Sequence, residues 1–315
     1  MQLTITSLDN QTQHILWPFF YFDIFAYPLR VDEIILFSPL KNLTKDKVQS
    51  VINALVAEKT LFDFGGYYAL QNRPDWLSQR LDQEQLASKT WPAAHRYARL
   101  IYAFPFVRAV FISGSFSKNI MTPDGDVDYF IITHPGRLWL ARTLLILFKK
   151  IFLLNSRKYF CLNYFVDSQH LSIEDQNIFS ATELITLLPM AGQYWHKELW
   201  ETNRWVNRYY PNFPKKSATF LDQKSSGGIK NFVEKIFARS AGNQLDKICM
   251  QITVNHWKHR FKHLDQTKFE QLFKSAPHIS THHPHDFQTK ALDAFRQRVT
   301  DFENRFRVKF DAIGY

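Results

Sequence analysis

Apolar positions repeat with a helical period through much of the first 72 residues. The stretch HILWPFFYFDIFAYPL (residues 14–29) predicts an aromatic-rich helix that stops near Tyr27, because the residue before a proline resists helical geometry. A short second helix is predicted at 29–37, and a third at 45–58 with Thr44 as its N-cap. The apolar side chains of the third helix share one face: Val48, Ile52, Leu55 and Val56.

A hairpin is predicted next, because Gly65-Gly66 separates two short apolar runs and glycine supplies the positive φ of a tight turn. Three helices followed by a hairpin resemble a winged helix, so residues 1–72 are predicted to be a winged-helix-like domain. The third helix carries Lys45 and Lys47 but no arginine, and helices that read DNA grooves usually carry more positive charge. A structural or interaction role is therefore favoured over DNA recognition.

The pattern changes from helix to strand in the middle of the chain. Residues 73–105 predict a basic helix, 107–112 a strand, 127–133 a second strand, 137–154 a long apolar helix and 159–166 a third strand. This order predicts an α/β or α+β core with both sheet and helices, which we assign to residues 73–170.

The remaining residues, 171–315, are predicted to be a helical C-terminal domain. A polar segment at 211–228, rich in Pro, Ser and Gly, is predicted to be a linker. Amphipathic helices are expected at 229–262 and 284–310, and they carry much of the positive charge. The predicted fold class is α+β: a small mixed-sheet core, preceded by a winged-helix-like domain and followed by helices.

Composition narrows the function only partly. The formal net charge is +10 and the pI is about 9.4. A basic balance favours phosphate-bearing partners, which include nucleotides, nucleic acid and an anionic membrane face. The net charge does not distinguish among these partners, and an ordinary basic protein surface accounts for it equally well.

The cysteines and the apolar runs exclude several classes. Cys161 and Cys249 have no partner at metal-ligand spacing, so neither a disulfide framework nor a zinc site is expected. The N-terminus lacks the pattern of a signal peptide, and the most apolar run, 138–154, is too short and too charged for a clean membrane span. The chain is expected to be a cytoplasmic protein with no membrane span.

Residues 113–133, SGSFSKNIMTPDGDVDYFIIT, place several acids at the entrance of an apolar strand. Burying unpaired carboxylates is costly, so a positive group is expected there: a metal ion, a basic side chain, or water at a loop tip. The Gly114-Ser115 turn can expose backbone N–H groups to a phosphate. The Ser115 hydroxyl and the Lys118 ammonium group suit the same phosphate.

Asp126 and Asp128 are two residues apart on the predicted strand, so their side chains point to one face. Two carboxylates at a strand edge suit Mg²⁺, which prefers carboxylate oxygens, water and substrate phosphates. Asp124 is a further possible ligand, although solvation at the loop tip explains it equally well.

This arrangement resembles the nucleotidyltransferase superfamily of the DNA polymerase β type. The sequence Gly-Ser-Phe-Ser-Lys-Asn at 114–119 stands where family members often read Gly-Ser-x-Ala-Arg-Gly, and Gly-Asp-Val-Asp at 125–128 stands for Ser-Asp-x-Asp. The likeness covers residues 106–168. It implies a core that binds a nucleoside triphosphate (NTP) with Mg²⁺ held by Asp126 and Asp128. Asp-Gly-Asp also reads as a plain turn.

The family usually adds a third carboxylate on a later strand, and here the sequence departs from the pattern. Asn163 lies in the middle of the strand at 159–166, and Asn cannot act as a base. Asp167 lies further along with the same parity and is the predicted substitute. Asp167 also reads as a strand-end residue that starts a turn.

Three functions remain open on the sequence. The first is a transferase that moves a nucleoside monophosphate from an NTP to a hydroxyl, with Asp126, Asp128 and Asp167 as catalytic residues. The second is a non-catalytic nucleotide-binding or nucleic-acid-binding protein, although nucleic acid is not favoured. The third is an interaction scaffold. The acceptor is open: a small antibiotic, a sugar, a lipid, a protein side chain or a nucleic-acid end.

Overall fold

The computed structural model describes residues 8–156, 158–214 and 227–310. The α-helices are α1 (Asn10–Asp23), α2 (Val31–Phe37), α3 (Lys45–Ala57), α4 (Pro74–Ala103), α5 (Leu138–Phe152), α6 (Ile178–Thr186), α7 (Gln193–Thr202), α8 (Gly227–Ile236), α9 (Ser240–Arg260), α10 (Gln266–Leu272) and α11 (Phe287–Phe306). The strands are β1 (Phe62–Asp63), β2 (Tyr68–Ala69), β3 (Val107–Ser113), β4 (Asp128–Thr133), β5 (Cys161–Asp167), β6 (Leu188–Ala191), β7 (Ser275–Ala276) and β8 (Ile279–Thr281).

The fold is α+β, and its main feature is a mixed six-stranded sheet. The strand order is β6-β3-β4-β5-β8-β7. β4 and β5 are parallel, and α5 connects them, as a parallel pair requires a crossover. All the other neighbouring strands in this sheet are antiparallel.

The first three helices form close to where the sequence predicts them. The Thr44 side chain accepts a hydrogen bond from the Lys47 amide at 3.4 Å and so caps α3. Gly65 and Gly66 turn the chain between β1 and β2 with φ values of 72° and 89°. α1 ends at Asp23, four residues before the predicted stop at Tyr27.

The first and last helices share one core. The ring of Trp17 on α1 meets Phe295 on α11 at 5.1 Å between ring centres, and Phe20 meets Phe302 at 5.2 Å. Both pairs are edge-to-face, the arrangement that aromatic quadrupoles prefer. Residues at the two ends of the chain therefore stabilise each other, although the sequence analysis assigns them to different domains.

The sheet is covered on both faces. Along β3, Val110 and Ile112 face the core formed with α4, α5 and α9, whereas Ala109 and Phe111 face the core formed with α7. Strands buried on both faces lose the alternation of apolar and polar residues, which explains why β3 reads as an uninterrupted apolar run.

The predicted boundary at residue 170 does not coincide with the edge of the sheet. β6, β7 and β8 lie beyond it, and β8 pairs directly with β5. These strands are only two to four residues long, too short for a periodic signal. Pro189 marks β6 as an edge strand, where a missing N–H is tolerated.

The amphipathic segment predicted at 229–262 forms two helices, α8 and α9, rather than one. Most of the predicted linker at 211–228 and the first seven residues, part of the predicted N-terminal pattern, lie outside the described residues. Within the described ranges, every helix is too short or too polar to cross a bilayer.

Candidate functional site

The Gly-Ser turn and the acids meet because β3 and β4 are antiparallel neighbours. Ser113, the last residue of β3, pairs with Asp128, the first residue of β4. The turn that begins at Gly114 therefore lies directly beside the start of β4. The sequence prediction that the turn and the acids come together is consistent with this register.

Gly114 is required at this point for two reasons. Its φ is +67°, a conformation that side chains disfavour. A Cβ added there would collide with Oδ2 of Asp128. The backbone of the turn thus approaches the carboxylate as closely as a glycine permits.

The turn continues as one short 3₁₀ helix, Phe116–Lys118. The Ser117 hydroxyl donates to the carbonyl oxygen of Gly114 at 2.8 Å and fixes the turn. Ser115 is exposed. Among the described residues, no carbonyl or side-chain oxygen within hydrogen-bonding distance accepts from the amide of Ser115, which leaves this N–H group free for a ligand. The next residue, Phe116, is fully buried.

Lys118 is held inside the turn. Its ammonium group donates to the carbonyl oxygen of Gly114 at 3.0 Å and to Oε1 of Glu183 at 2.7 Å. The side chain of Lys118 is only 13% exposed. The predicted phosphate-binding cation therefore already has an acidic partner, supplied by α6.

Asp126 and Asp128 form a cluster with Cys161. One ligand atom from each of these three residues lies within 4.8 Å of the other two. Burial and the neighbouring charge of Asp126 raise the pKa of Asp128 to about 7. Two carboxylates held this close repel each other, and a cation between them would relieve that repulsion.

Asn163 lies where a third acid was sought, and a bulge directs it there. Asp128 pairs with Cys161 and Tyr129 with Leu162, but Phe130 pairs with Tyr164, so Asn163 is the extra residue. Its Nδ2 donates to Oδ1 of Asp128. Bulges redirect side chains in this way and are frequent next to functional sites.

Asp167 does not join the cluster, which corrects the predicted catalytic role. It pairs with Thr133 at the end of β4, five residues from Asp128. At about 3.3 Å per residue, the two carboxylates lie roughly 16 Å apart along the strand. Asp167 instead accepts hydrogen bonds from Nδ1 of His170 at 2.7 Å and from the Gln169 amide at 2.9 Å.

Cys161 lies in the acid cluster, although the sequence predicts no metal-binding role for it. Its thiol contacts Oδ1 of Asn163 at 3.2 Å. Burial and the nearby charges of Asp128 and Asp126 raise its pKa, so the thiol stays protonated. It has no sequence neighbour that signals this role, because its partners come from β4.

Glu183 is the second residue that the sequence analysis missed. It lies 65 residues after Lys118, on a helix with no motif, and only the packing of α6 against the turn reveals it. By contrast, Asp124 is exposed and lies outside the cluster.

The donor atoms of the cluster fit Mg²⁺ in part. The Asp126 and Asp128 carboxylates are hard oxygen ligands of the kind that Mg²⁺ prefers. A protonated thiol and an amide complete the surroundings, in place of a third carboxylate. Over the described residues, Asp126, Asp128 and Cys161 are the one group of three or more acid, His or Cys side chains close enough to hold a metal ion.

No protein-family model, no curated protein and no solved structure matches this chain. Any function assigned to the cluster must therefore be argued from its residues and geometry.

Proposed function

We propose that this chain is a Mg²⁺-dependent nucleotidyltransferase that moves a nucleoside monophosphate from an NTP to an acceptor hydroxyl. The observation that carries the proposal is the contact between the Gly114 backbone and the Asp128 carboxylate. It puts a turn with a free, exposed N–H group at Ser115 directly beside two carboxylates. A triphosphate and its metal ion need both features within a few ångströms.

The proposal includes a division of the chain into three regions. Residues 1–72 form the winged-helix-like domain, 73–170 the nucleotidyltransferase core and 171–315 a largely helical region that completes the sheet. The support is the order of elements: three helices and a hairpin, then β3, the glycine turn, β4, α5 and β5.

The side chains have separate tasks in the proposed reaction. Asp126 and Asp128 hold the metal ion, which when bound supplies positive charge to the phosphates. The amide of Ser115 binds a phosphate oxygen. The acceptor oxygen forms a bond to the α-phosphorus while the bond from that phosphorus to the pyrophosphate oxygen breaks, and the hydroxyl proton passes to water.

A second candidate is nucleotide binding without transfer. It is favoured by Asn163, which occupies the place beside Asp128 where a third carboxylate would act as a base. The described residues of the cluster offer no other acid for that role. The two candidates share a binding site and differ in turnover.

Binding is tested by isothermal titration with each NTP, with and without Mg²⁺. The Asp126→Ala/Asp128→Ala variant is expected to lose Mg²⁺-dependent affinity at least a hundredfold. Asp124→Ala is the matched control, because it removes a nearby exposed carboxylate outside the cluster, and it should bind as the parent does. Absence of NTP binding by the parent protein contradicts both candidates and favours an interaction scaffold.

Turnover is tested by following pyrophosphate release from any NTP that binds, with a panel of acceptor hydroxyls. The Asn163→Asp variant restores a third carboxylate and is expected to raise the rate about 10²-fold, the range typical of general-base catalysis. Tight Mg²⁺-dependent binding with no release by either protein favours the binding-only candidate.

A further inference from the structure

The positive charge of this chain is concentrated in two stretches. Residues 137–158 contain six Lys or Arg and no acid, a net charge of +6. Residues 227–264 contain seven Lys or Arg and two acids, a net charge of +5. Because the whole chain carries +10, the remainder is close to neutral. An anionic partner attracted by charge would meet these two stretches first.

The two stretches are neighbours in space. The first contains α5, and the second contains α8 and α9. The Leu140 amide donates to Oδ1 of Asp246 at 2.8 Å, and Nε of Arg137 donates to the carbonyl oxygen of Phe237 at 2.7 Å. Arg137 also binds Asn243. From Arg137 to Leu140 the chain advances by three residues, and so do their partners, from Asn243 to Asp246. The helices α5 and α9 therefore run parallel and side by side.

Both acids in these stretches point inward. Glu234 binds the Arg108 guanidinium at 2.9 Å, and Asp246 caps the start of α5. The exposed cations therefore face solvent with no neutralising partner, since none forms an ion pair with a described acid. They are Lys150, Lys158, Lys235, Arg239, Lys247, Lys258, Arg260 and Lys262.

Exposed apolar side chains are concentrated in the same two stretches. Of the thirteen large hydrophobic residues exposed in the described ranges, nine lie in these stretches: Leu147, Ile151, Phe152, Leu154, Ile229, Phe232, Ile236, Ile248 and Ile252. Phe152 is 68% exposed and Leu154 is 91% exposed. The exposed side chains of residues 147–156, 158 and 229–262 are called the basic apolar surface below. Solvation of a basic helix face does not explain this clustering, which is typical of an interaction surface.

The α5 end of the basic apolar surface borders the acid cluster, whereas α8 lies near the start of β3. The Val127 amide, between Asp126 and Asp128, donates to the carbonyl oxygen of Lys158 at 2.9 Å. Lys158 follows the exposed residues Phe152 and Leu154, at and after the end of α5, by only a few positions. A partner bound here would therefore lie close to the entrance of β4.

We propose that this chain docks on the surface of an anionic lipid bilayer through the basic apolar surface. The apolar side chains enter the boundary between headgroups and acyl chains, and the surrounding cations face the lipid phosphates. No helix has to cross the membrane. The inference stands independently of nucleotide transfer, because its test measures vesicle binding alone.

Other partners fit the surface less well. Nucleic acid would attract the cations, but a phosphate backbone gives Ile151, Phe152 and Leu154 no apolar phase to enter. A second copy of this chain would bring the same cations face to face, which opposes self-association through this surface. A bilayer with acidic headgroups offers phosphates to the cations and an apolar phase to the exposed apolar side chains.

The test is sedimentation of the full chain with lipid vesicles. Vesicles of phosphatidylcholine with one third phosphatidylglycerol are expected to bind at least tenfold more protein than pure phosphatidylcholine, and high salt should weaken this binding. The Ile151→Ser/Phe152→Ser/Leu154→Ser variant should lose at least tenfold in affinity. Lys150→Glu/Lys158→Glu should lose at least as much, because each cation near an anionic surface is worth about fivefold.

The matched control is Leu81→Ser/Tyr194→Ser/Phe287→Ser, which removes exposed hydrophobic residues elsewhere. It should bind vesicles as the parent does. The proposal is overturned if the parent ignores anionic vesicles at physiological salt, or if the serine variant of α5 binds them unchanged. It is also overturned if single-stranded RNA or a second copy of the chain occupies this surface in preference to vesicles.

Discussion

The acidic side chains at the two ends of the central strands differ in whether they have ionic partners. At the acidic end, where β3 stops and β4 begins, Asp126 and Asp128 lie together and form no ion pair with a described residue. At the paired end, where β4 and β5 stop, Asp167 binds His170 and the Gln169 amide. The paired end also holds Glu234, which binds Arg108 next to the start of β3.

The difference separates a site from a structural feature. Burial alone would raise the pKa of Glu234, but hydrogen bonds from Arg108 and the Phe106 amide bring it below the usual value. At the acidic end, the hydrogen bond with Cys161 and the charge of Lys118 do not offset burial and the charge of Asp126, and the pKa of Asp128 rises. A fold keeps unpaired carboxylates at a cost, so the acidic end is where a cationic ligand is expected.

The largest expected effect on stability comes from Gly114→Ala. The substitution adds the strain of a positive φ and the collision with Asp128, so we expect a loss of about 2–4 kcal/mol in stability and at least tenfold in Mg²⁺-dependent NTP affinity. Gly65→Ala is the matched control, because Gly65 has a φ of 72° but open space around its Cβ. Urea unfolding and titration measure both. Equal losses in the two variants would contradict a special role for Gly114.

Removing one acid from each end should change stability in opposite directions. Asp167→Ala leaves the partly buried Gln169 amide without its acceptor and should lower the free energy of unfolding by about 1–2 kcal/mol. Asp128→Asn removes a repelling charge and should raise it by about 1–2 kcal/mol in metal-free buffer. Urea unfolding without Mg²⁺ is the measurement, and destabilisation by both variants would erase the contrast between the ends.

The paired end should also respond to alkaline pH. Burial lowers the pKa of Lys230, which donates to the carbonyl oxygens of Tyr102 and Val107, to about 8. The unfolded chain, with a lysine pKa near 10.4, keeps this proton longer, so stability rises with pH through this window. Between pH 8 and 10 the free energy of unfolding of the parent should rise by about 2 kcal/mol relative to that of Lys230→Met, as measured by urea unfolding. If the two proteins change equally with pH, the charge of Lys230 is not buried in the folded state.

The smallest effect is expected from Glu183→Gln. It removes the acidic partner of Lys118 while keeping a hydrogen-bond acceptor of the same shape. Released from the ion pair, Lys118 should raise NTP affinity twofold to fivefold, and titration with Mg²⁺ present measures the change. Lower affinity would instead mean that the ion pair holds the turn in its binding shape.

Local patterns were enough to predict most of the elements. The helical period gave α3 and its Thr44 cap, and the apolar runs gave β3, β4 and β5 within two residues. Each of these signals lies within a short window of the sequence. The edge strands β6, β7 and β8 could not be predicted, because they are short and acquire strand geometry only by pairing with a neighbour.

The sequence by itself determined the pairing of a glycine turn with Asp126 and Asp128, since β3 and β4 are consecutive and apolar. Only the tertiary structure decided what surrounds that pair. The bulge at Asn163 breaks the strict two-residue parity on which the choice of Asp167 depended, and the parallel register then carries Asp167 to the far end of β5. Cys161 and Glu183 reach the site from elements 33 and 55 residues after Asp128. Contacts over such separations arise from packing, which no local pattern encodes.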